Sequence, residues 1–169
     1  SRSSSSRDVS GIVSAIIKDV QSRGDEALRE YSKKFDGADI STLEVSRDEI
    51  KAAVESMDSE FIRVLEKAAA NIRKYHSKQV RNSFVMTEEN GVVLGQKIVP
   101  VPVAGIYVPG GTAAYPSTVL MDTIPAKIAG CSSVIMVSPP GKDGILNPAV
   151  LTAAYVAGVD RVFKVGGAQ

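Results

Sequence analysis

From residue 9 to residue 76, apolar residues recur at the three- and four-residue spacing of amphipathic helices. The spacing predicts four short helices, which begin at residues 9, 25, 46 and 59. Gly24 and Gly37 suit left-handed caps for the first two, and Ser46-Arg47-Asp48-Glu49 has capping-box spacing for the third. The fourth presents an apolar face made of Phe61, Leu65, Ala68, Ile72 and Tyr75. Because each helix is apolar on one side only, all four need something to pack on.

Between residues 84 and 103 the pattern changes to that of short strands. Glu89-Asn90-Gly91 is a turn signal between Phe84-Val85-Met86 and Val92-Val93-Leu94. Pro100 and Pro102 then interrupt strand pairing, since proline cannot donate to a β-ladder. We therefore predict an amino-terminal helical region with a small β connector over residues 1–100, and a second domain over residues 101–169.

In the second domain, continuous apolar runs alternate with helical segments. The runs predict strands at residues 106–108, 134–137 and 162–165, and the intervening helices end at Gly130 and Gly158, which are 28 residues apart. This alternation is typical of a parallel sheet with right-handed crossovers. Three strands make a thin sheet, and no helix follows the third. The predicted fold class is therefore α/β: an incomplete Rossmann-like three-layer parallel sheet preceded by the helical region and the β connector.

Composition and charge exclude several classes of partner. The chain is 44% hydrophobic and 23% charged, as in ordinary globular proteins, and its net charge of +1 indicates neither nucleic acid nor an anionic membrane. No window approaches the roughly 18 apolar residues of a membrane span. The Ser- and Arg-rich residues 1–7 lack the apolar core of a signal peptide, and we expect a disordered tail there. A single cysteine cannot form an internal disulfide, which fits a cytoplasmic protein.

The single histidine and single cysteine also limit metal chemistry. A zinc site takes three or four ligands from His, Cys and carboxylates, and neither Cys-x-x-Cys nor His-x-x-x-His spacing occurs. His76 is predicted near the end of the fourth helix, where a cation meets the negative end of the helix dipole. Cys131 is predicted at the amino edge of the sheet as a small buried hydrophobe. We therefore predict no metal ligand in this chain.

Candidate binding residues lie where the predicted strands end. The exits carry Pro109-Gly110-Gly111, Pro139-Pro140-Gly141 and Gly166-Gly167, and all three fall on the carboxyl edge, where open α/β folds bind ligands. Glycines there could admit a ligand close to the backbone, although such loops need turn residues in any case. Tyr107 could stack or hydrogen-bond, or could simply pack. Gln169 could offer a bidentate amide contact but carries no signal by itself.

Other motifs fail. Gly141-Lys142-Asp143 lacks the spaced glycines and the Ser or Thr of a phosphate-binding P-loop, and no Gly-x-Gly-x-x-Gly fingerprint is present. No predicted strand ends in an aspartate that could accept a phosphoryl group, which disfavours a response-regulator-like domain.

Several segments along the chain together resemble the histidinol dehydrogenase family. They include Tyr107-Val108-Pro109-Gly110-Gly111 and Gly166-Gly167-Ala168-Gln169, the two most specific. Further matching segments are Arg23-Gly24-Asp25-Glu26-Ala27-Leu28, Phe35-Asp36-Gly37, Ala70-Asn71-Ile72 with Tyr75-His76 and Gln79, Tyr115-Pro116-Ser117-Thr118-Val119-Leu120-Met121, and Ile124-Pro125-Ala126-Lys127-Ile128-Ala129-Gly130. The family's chains are much longer, so the resemblance is to an amino-terminal portion.

This resemblance implies a fragment of an NAD- and zinc-dependent homodimer that oxidises L-histidinol to L-histidine through an aldehyde-level intermediate. The family's NAD-contacting tyrosine and glutamine match Tyr107 and Gln169. Its zinc ligands and its acid–base pair would lie beyond residue 169, so no catalytic or metal-binding residue is assigned here, and the fragment alone is expected to be inactive. Two alternatives stay open: a paralogue that oxidises another alcohol, such as a sulfopropanediol, and a non-catalytic nucleotide-binding module.

Overall fold

The computed structural model describes residues 9–110 and 114–169. The described residues form six α-helices, α1 to α6: Val9–Arg23, Asp25–Tyr31, Arg47–Ser56, Ser59–His76, Pro116–Ala129 and Pro148–Ala157. They also form five strands, β1 to β5: Phe84–Thr87, Val93–Gln96, Val103–Tyr107, Ser133–Ser138 and Arg161–Lys164. None of the described helices combines the length and the apolar character that crossing a membrane requires. The expected tail at residues 1–7 and the predicted loop glycine Gly111 lie outside the described residues.

The predicted parallel sheet is confirmed. Its order is β3-β4-β5, and both strand pairs are parallel. Gly130 and Gly158 end α5 and α6 in the left-handed conformation, with φ of 94° and 82°. Each of these glycines is followed by a strand, as the repeat predicted.

The two faces of the sheet differ in what covers them. The inner face carries Ala104, Ile106, Val134, Met136, Val162 and Lys164, and the outer face carries Val103, Gly105, Tyr107, Ile135, Val137, Arg161 and Phe163. Inner-face residues are packed in one core with residues of α3, α4, α5 and α6. The division of the chain near residue 100 stays a prediction.

The outer face is covered over its β4–β5 side. A second cluster packs Ala38, Ile40 and Leu43 on Val165, with Leu28, Val137 and Phe163 at its margin. The same segment closes the free edge of β5, because Val45 N–H donates to the Val162 carbonyl at 2.9 Å and Lys164 N–H donates to the Leu43 carbonyl at 2.7 Å. Among the described residues, no such cover lies over the β3 side of the outer face.

The helix starts follow the local sequence closely. Ser46 and Glu49 form the predicted capping box of α3, with reciprocal side chain–backbone bonds of 3.1 Å and 2.9 Å. Glu49 also holds the ammonium of Lys164 at 2.6 Å, which ties α3 to the end of β5. Because Lys164 is only 8% exposed, this contact satisfies a charge that burial would otherwise penalise.

Two helical predictions need correction. The second helix is not continuous, because the α-helix ends at Tyr31 and a π-helical turn, Ser32–Asp36, carries the chain to Gly37. Tyr75 does not face the core, since it is 66% exposed, although Leu65 of the same helix is buried. The apolar face of α1 is also largely uncovered: of its residues only Ile16 is buried.

The predicted β connector is a hairpin. Strands β1 and β2 pair antiparallel, with Met86 opposite Leu94 and Thr87 opposite Val93. Every residue from 77 to 103 is exposed, including the apolar residues of both strands. A lone two-stranded hairpin is marginally stable in water, and none of its residues is buried. We therefore expect the hairpin to contribute little to the stability of the core.

Candidate functional site

The three strand exits meet at Pro139. A Cβ added to Gly110 would lie 2.7 Å from Pro139 Cγ, and one added to Gly166 would lie 2.5 Å from Pro139 Cβ. Real side chains do not approach so closely, so glycine is required on both sides of this proline. The sequence predicted that glycines at the strand exits let a ligand approach the backbone closely. At Gly110 and Gly166 it is Pro139 that makes the close approach.

The middle exit is a turn with local bonds of its own. Gly141 N–H donates to the Ile145 carbonyl and Gly144 N–H donates to the Gly141 carbonyl, both at 2.8 Å. Asp143 accepts a further bond from Ile145 N–H at 3.1 Å. These bonds explain why the loop contains Gly and Asp, since both residues serve the turn itself. This agrees with the alternative interpretation, in which such a loop needs turn residues in any case.

Tyr107 ends β3 on the outer face. It pairs with Val137, and Val137 pairs with Phe163, so the three side chains form one row across the sheet. Tyr107 is 47% exposed. Its neighbour on the same face, Gly105, has no heavy atom within 4 Å of where a Cβ would stand. The tyrosine ring therefore borders open space rather than packed core.

Gln169 lines a cavity of about 590 Å³ on the outer face. The floor of the cavity is Val137, Phe163 and Val165, and Leu28 and Leu43 form part of its wall. The cavity thus includes two members of the row that Tyr107 begins. Tyr107 and Gln169 lie on the same face, at the carboxyl ends of β3 and β5, with Val137 between their strands.

The side chain of Gln169 is the unusual feature of this cavity. Both amide atoms, Oε1 and Nε2, are buried and have no hydrogen-bond partner. The chain bends back at Gly167, whose φ of 65° suits glycine and whose Cβ position would lie 2.5 Å from Gln169 Oε1. A buried amide without partners costs about 1–3 kcal/mol, so the Gln169 side chain lacks the hydrogen bonds that its burial calls for.

Charged side chains line the rim of the cavity. Arg161 donates two bonds of 2.8 Å to Glu44, and its guanidinium lies 4.8 Å from the Phe163 ring centroid. The hydrogen bonds from Arg161 hold the pKa of Glu44 below its usual range. Arg29 donates to the Ser41 carbonyl at 3.1 Å and is 4.0 Å from Asp25, so it is the more loosely held cation.

Sequence reasoning missed these rim residues. Arg161, Glu44 and Arg29 come together only because the segment before α3 pairs with β5, and this contact joins parts of the chain that are far apart in sequence. Phe163 was placed in a strand, but which face it occupies was not assigned. No local pattern would have pointed to any of the four.

The other candidate positions lie away from the cavity. His76 is in the last turn of α4, as predicted, and its Nδ1 is 2.6 Å from Gln79 Oε1. Cys131 is buried just before β4, also as predicted. Within residues 9–110 and 114–169, no three His, Cys, Asp or Glu side chains are grouped so that they could hold a metal ion.

A three-stranded parallel sheet joined by crossover helices, with a cavity on its outer face, defines a Rossmann-like α/β protein. A family model described as histidinol dehydrogenase matches residues 1–169, and the chain belongs to the histidinol dehydrogenase family, which is a family of oxidoreductases.

Relatives and a solved structure agree with this assignment. The chain is 53% identical over 157 residues to histidinol dehydrogenase of Clostridium acetobutylicum, covering 93% of this chain and 36% of that protein. It is 53% identical over 154 residues to the Geobacillus kaustophilus protein of the same name, covering 91% of this chain and 36% of the relative. The crystal structure of histidinol dehydrogenase from Elizabethkingia anophelis superposes with a TM-score of 0.93 at 38% identity, over 98% of this chain and 38% of that one. The chain therefore spans less than two-fifths of the length of these relatives.

Proposed function

We propose that this chain supplies part of the nucleotide site of an NAD-dependent enzyme that oxidises L-histidinol to L-histidine in histidine biosynthesis. The observation that carries the proposal is that Gln169, whose amide is buried and unpartnered, lines a cavity beside the row of Tyr107, Val137 and Phe163 in a chain of this family. An amide can offer one donor and one acceptor to a nucleotide, and the exposed tyrosine can offer a ring and a hydroxyl.

The overall reaction converts a primary alcohol into a carboxylate. When bound, NAD would supply the acceptor for each of the two hydrides that leave the alcohol carbon in turn, through an aldehyde-level intermediate. One water contributes the second carboxylate oxygen, and the remaining protons go to bases. The residues of this chain would bind and orient the cofactor.

The remaining chemistry is assigned to residues outside this chain. The described residues do not fit a zinc ion, so we propose that the zinc ligands and the acid–base pair belong to the rest of a longer enzyme. By itself the chain is then inactive. We further propose that the enzyme is a cytoplasmic homodimer that acts on a small molecule and binds neither nucleic acid nor membrane.

The proposal is tested with a chimera in which these 169 residues replace the equivalent part of the Clostridium acetobutylicum relative. We expect NADH to form from NAD and L-histidinol with the chimera, and none with the isolated chain. No activity on L-histidinol with the chimera, under conditions in which the unmodified relative is active, would contradict the proposal. Nucleotide binding without turnover of any alcohol would favour the non-catalytic module.

Single substitutions in the chimera test the two assigned residues. Gln169→Met keeps the length of the side chain but removes the amide, so NAD affinity should fall about tenfold or more, which corresponds to 1.4 kcal/mol or more. Tyr107→Leu should weaken NAD in the same direction. Gln79→Met and Tyr155→Leu, which change the same residue types away from the cavity, are the matched controls. Equal NAD affinities in all four variants would contradict the assignment.

A further inference from the structure

The strand pairing reaches Tyr107 but stops before Gln169. On one side of β4, Val108 N–H, next to Tyr107, still donates to the Val137 carbonyl at 2.9 Å. On the other side, the pairing of β4 with β5 ends at Lys164. The hydrogen bonds of the sheet therefore fix Tyr107 directly, whereas the position of Gln169 depends on contacts made beyond the end of β5.

The first of those contacts is with Pro139, which follows β4 and lies between the exits of β3 and β5. A Cβ added to Gly110 would lie 2.7 Å from Cγ of the proline ring and 2.9 Å from the Pro139 carbonyl oxygen. A Cβ added to Gly166 would lie 2.5 Å from Cβ of the same ring and 3.1 Å from its Cα. Because the ring is closed onto the backbone, it cannot rotate aside. Pro139 is therefore a rigid spacer between the two exits.

A short turn connects this spacer to the side chain of Gln169. Val165 and Gly166 are buried, so the turn is held in place where it begins. Gly167 then takes a φ of 65°, and a Cβ added there would lie 2.5 Å from Gln169 Oε1. The Gln169 side chain thus lies against the backbone of Gly167, and the preceding glycine lies against Pro139. A displacement at Pro139 would consequently be passed on to the amide.

The size of such a displacement is large enough to affect binding. Tyr107 and Gln169 come from β3 and β5, on opposite sides of β4, so a ligand that contacts both must span the central strand. Ordinary contact of a Cβ begins near 3.4 Å, so an alanine at position 166 would have to move away from Pro139 by about 1 Å. Binding groups generally have to be held within about 0.5 Å of their productive positions.

From these contacts we infer that Pro139 is a positioning residue for the nicotinamide cofactor, because its ring sets the distance between Tyr107 and the amide of Gln169. The inference rests on the proposed function, in which those two residues contact NAD. Pro139 acts through them and has no contact of its own to make. Gly166→Ala would push the exit of β5 away from the ring, and Pro139→Ala would remove Cγ and Cδ and loosen the spacer.

Binding of NADH to the chimera tests the inference, measured by calorimetry in the absence of L-histidinol. We expect Gly166→Ala and Pro139→Ala each to raise the Kd of NADH by about fivefold or more. The matched controls are Gly158→Ala and Pro102→Ala, which lie before strands rather than after them. Gly158 has a φ of 82°, so alanine there should lower the urea midpoint through backbone strain while leaving the Kd unchanged.

A double substitution shows whether the effect passes through the amide. Gln169→Met removes the amide, so a shift of this side chain can no longer misplace a hydrogen bond to the cofactor. We expect Gly166→Ala to raise the Kd much less in the Gln169→Met background than in the unaltered chimera. The same increase in both backgrounds would indicate a general disturbance of the sheet and would contradict the inference.

The remaining outcomes separate this inference from the proposed function. If Gln169→Met leaves the Kd of NADH unchanged, the proposed function fails and the inference fails with it. If Gln169→Met weakens NADH but neither Gly166→Ala nor Pro139→Ala does, only the inference is wrong. It is also wrong if Gly158→Ala weakens NADH as much as Gly166→Ala, since lost stability then explains the effect. Should Gly166→Ala fail to fold, Pro139→Ala, alone and combined with Gln169→Met, carries the same test.

Discussion

At the scale of single residues, Pro139 and its two glycines determine how the strand exits fit together. Gly110 follows β3 and Gly166 follows β5. Both approach Pro139, which follows β4, the strand between them. The glycines therefore serve packing across the sheet as much as the shape of their own loops. This explains why both exits are glycine-containing, whether or not a ligand approaches them.

Gly166→Ala should destabilise the chain by about 1–3 kcal/mol, because its methyl group would overlap Pro139 in a packed region. Urea denaturation followed by circular dichroism measures the change. Gly105→Ala is the matched control, since its added methyl group meets no neighbour, and it should change stability by less than about 0.5 kcal/mol. Equal midpoints for the two variants would show that the exits do not depend on this contact.

At the scale of elements, α1 is held to α2 by a charged network rather than by a core. Arg23 donates to both oxygens of Asp19, at 2.8 Å and 2.7 Å, and to Glu30 at 2.8 Å. The Tyr31 hydroxyl adds a bond of 2.8 Å to Asp19. These bonds, led by those from Arg23, lower the pKa of Asp19 from 3.8 to about 2.

The lowered pKa gives the helix pair a defined dependence on pH. Ionised Asp19 favours the folded contact at every pH above its unfolded pKa, and this contribution is lost as the pH falls through about 2. NMR titration of the side-chain carboxyl carbon should give a midpoint near 2. Arg23→Gln should raise that midpoint toward 3.8, and Tyr31→Phe should raise it less. A midpoint near 3.8 in the unaltered chain would show that the network does not form.

Sequence patterns predicted those elements whose signals are local. The capping box at Ser46, the glycine after α5 and the turn at Asn90-Gly91 each depend on neighbouring residues, and the structure has all three elements. The π-helical turn at Ser32–Asp36 and the pairing of residues 43–45 with β5 had no such signal. Their formation depends on contacts with distant parts of the chain, which periodicity does not record.

The residues of the candidate site likewise divide into those that local sequence could predict and those that depend on distant parts of the chain. The end of β3 could be located from its apolar run and its Pro-Gly exit, so Tyr107 was placed correctly at the edge of the sheet. Its partners across the outer face could not be identified, because the row of Tyr107, Val137 and Phe163 requires the register of three strands. That the Gln169 amide has no hydrogen-bond partner likewise depends on how the chain folds around it, so the sequence could not predict it.

At the scale of the whole molecule, the described structure divides into a packed core and an uncovered hairpin. Leu65 and Ala69 of α4 lie in the same core as Leu120 of α5 and Val150 of α6. The hairpin and its flanks, residues 77–103, join α4 to β3 without any buried residue. Cutting this segment should therefore leave the two parts of the core associated.

Within the described residues, limited digestion with trypsin should cleave first after Lys78, Arg81 or Lys97, which all lie in an exposed segment. Lys127 and Lys164 should be cut late, because their side chains are 30% and 10% exposed and both are ion-paired. Mass spectrometry identifies the order of cuts, and gel filtration of the nicked sample should give one peak that separates into two fragments only in urea. Replacing the three early sites with Gln should delay the first cut. If the fragments instead separate in buffer alone, α4 is not held by the core, and the helices on the two sides of the hairpin do not form one packed unit.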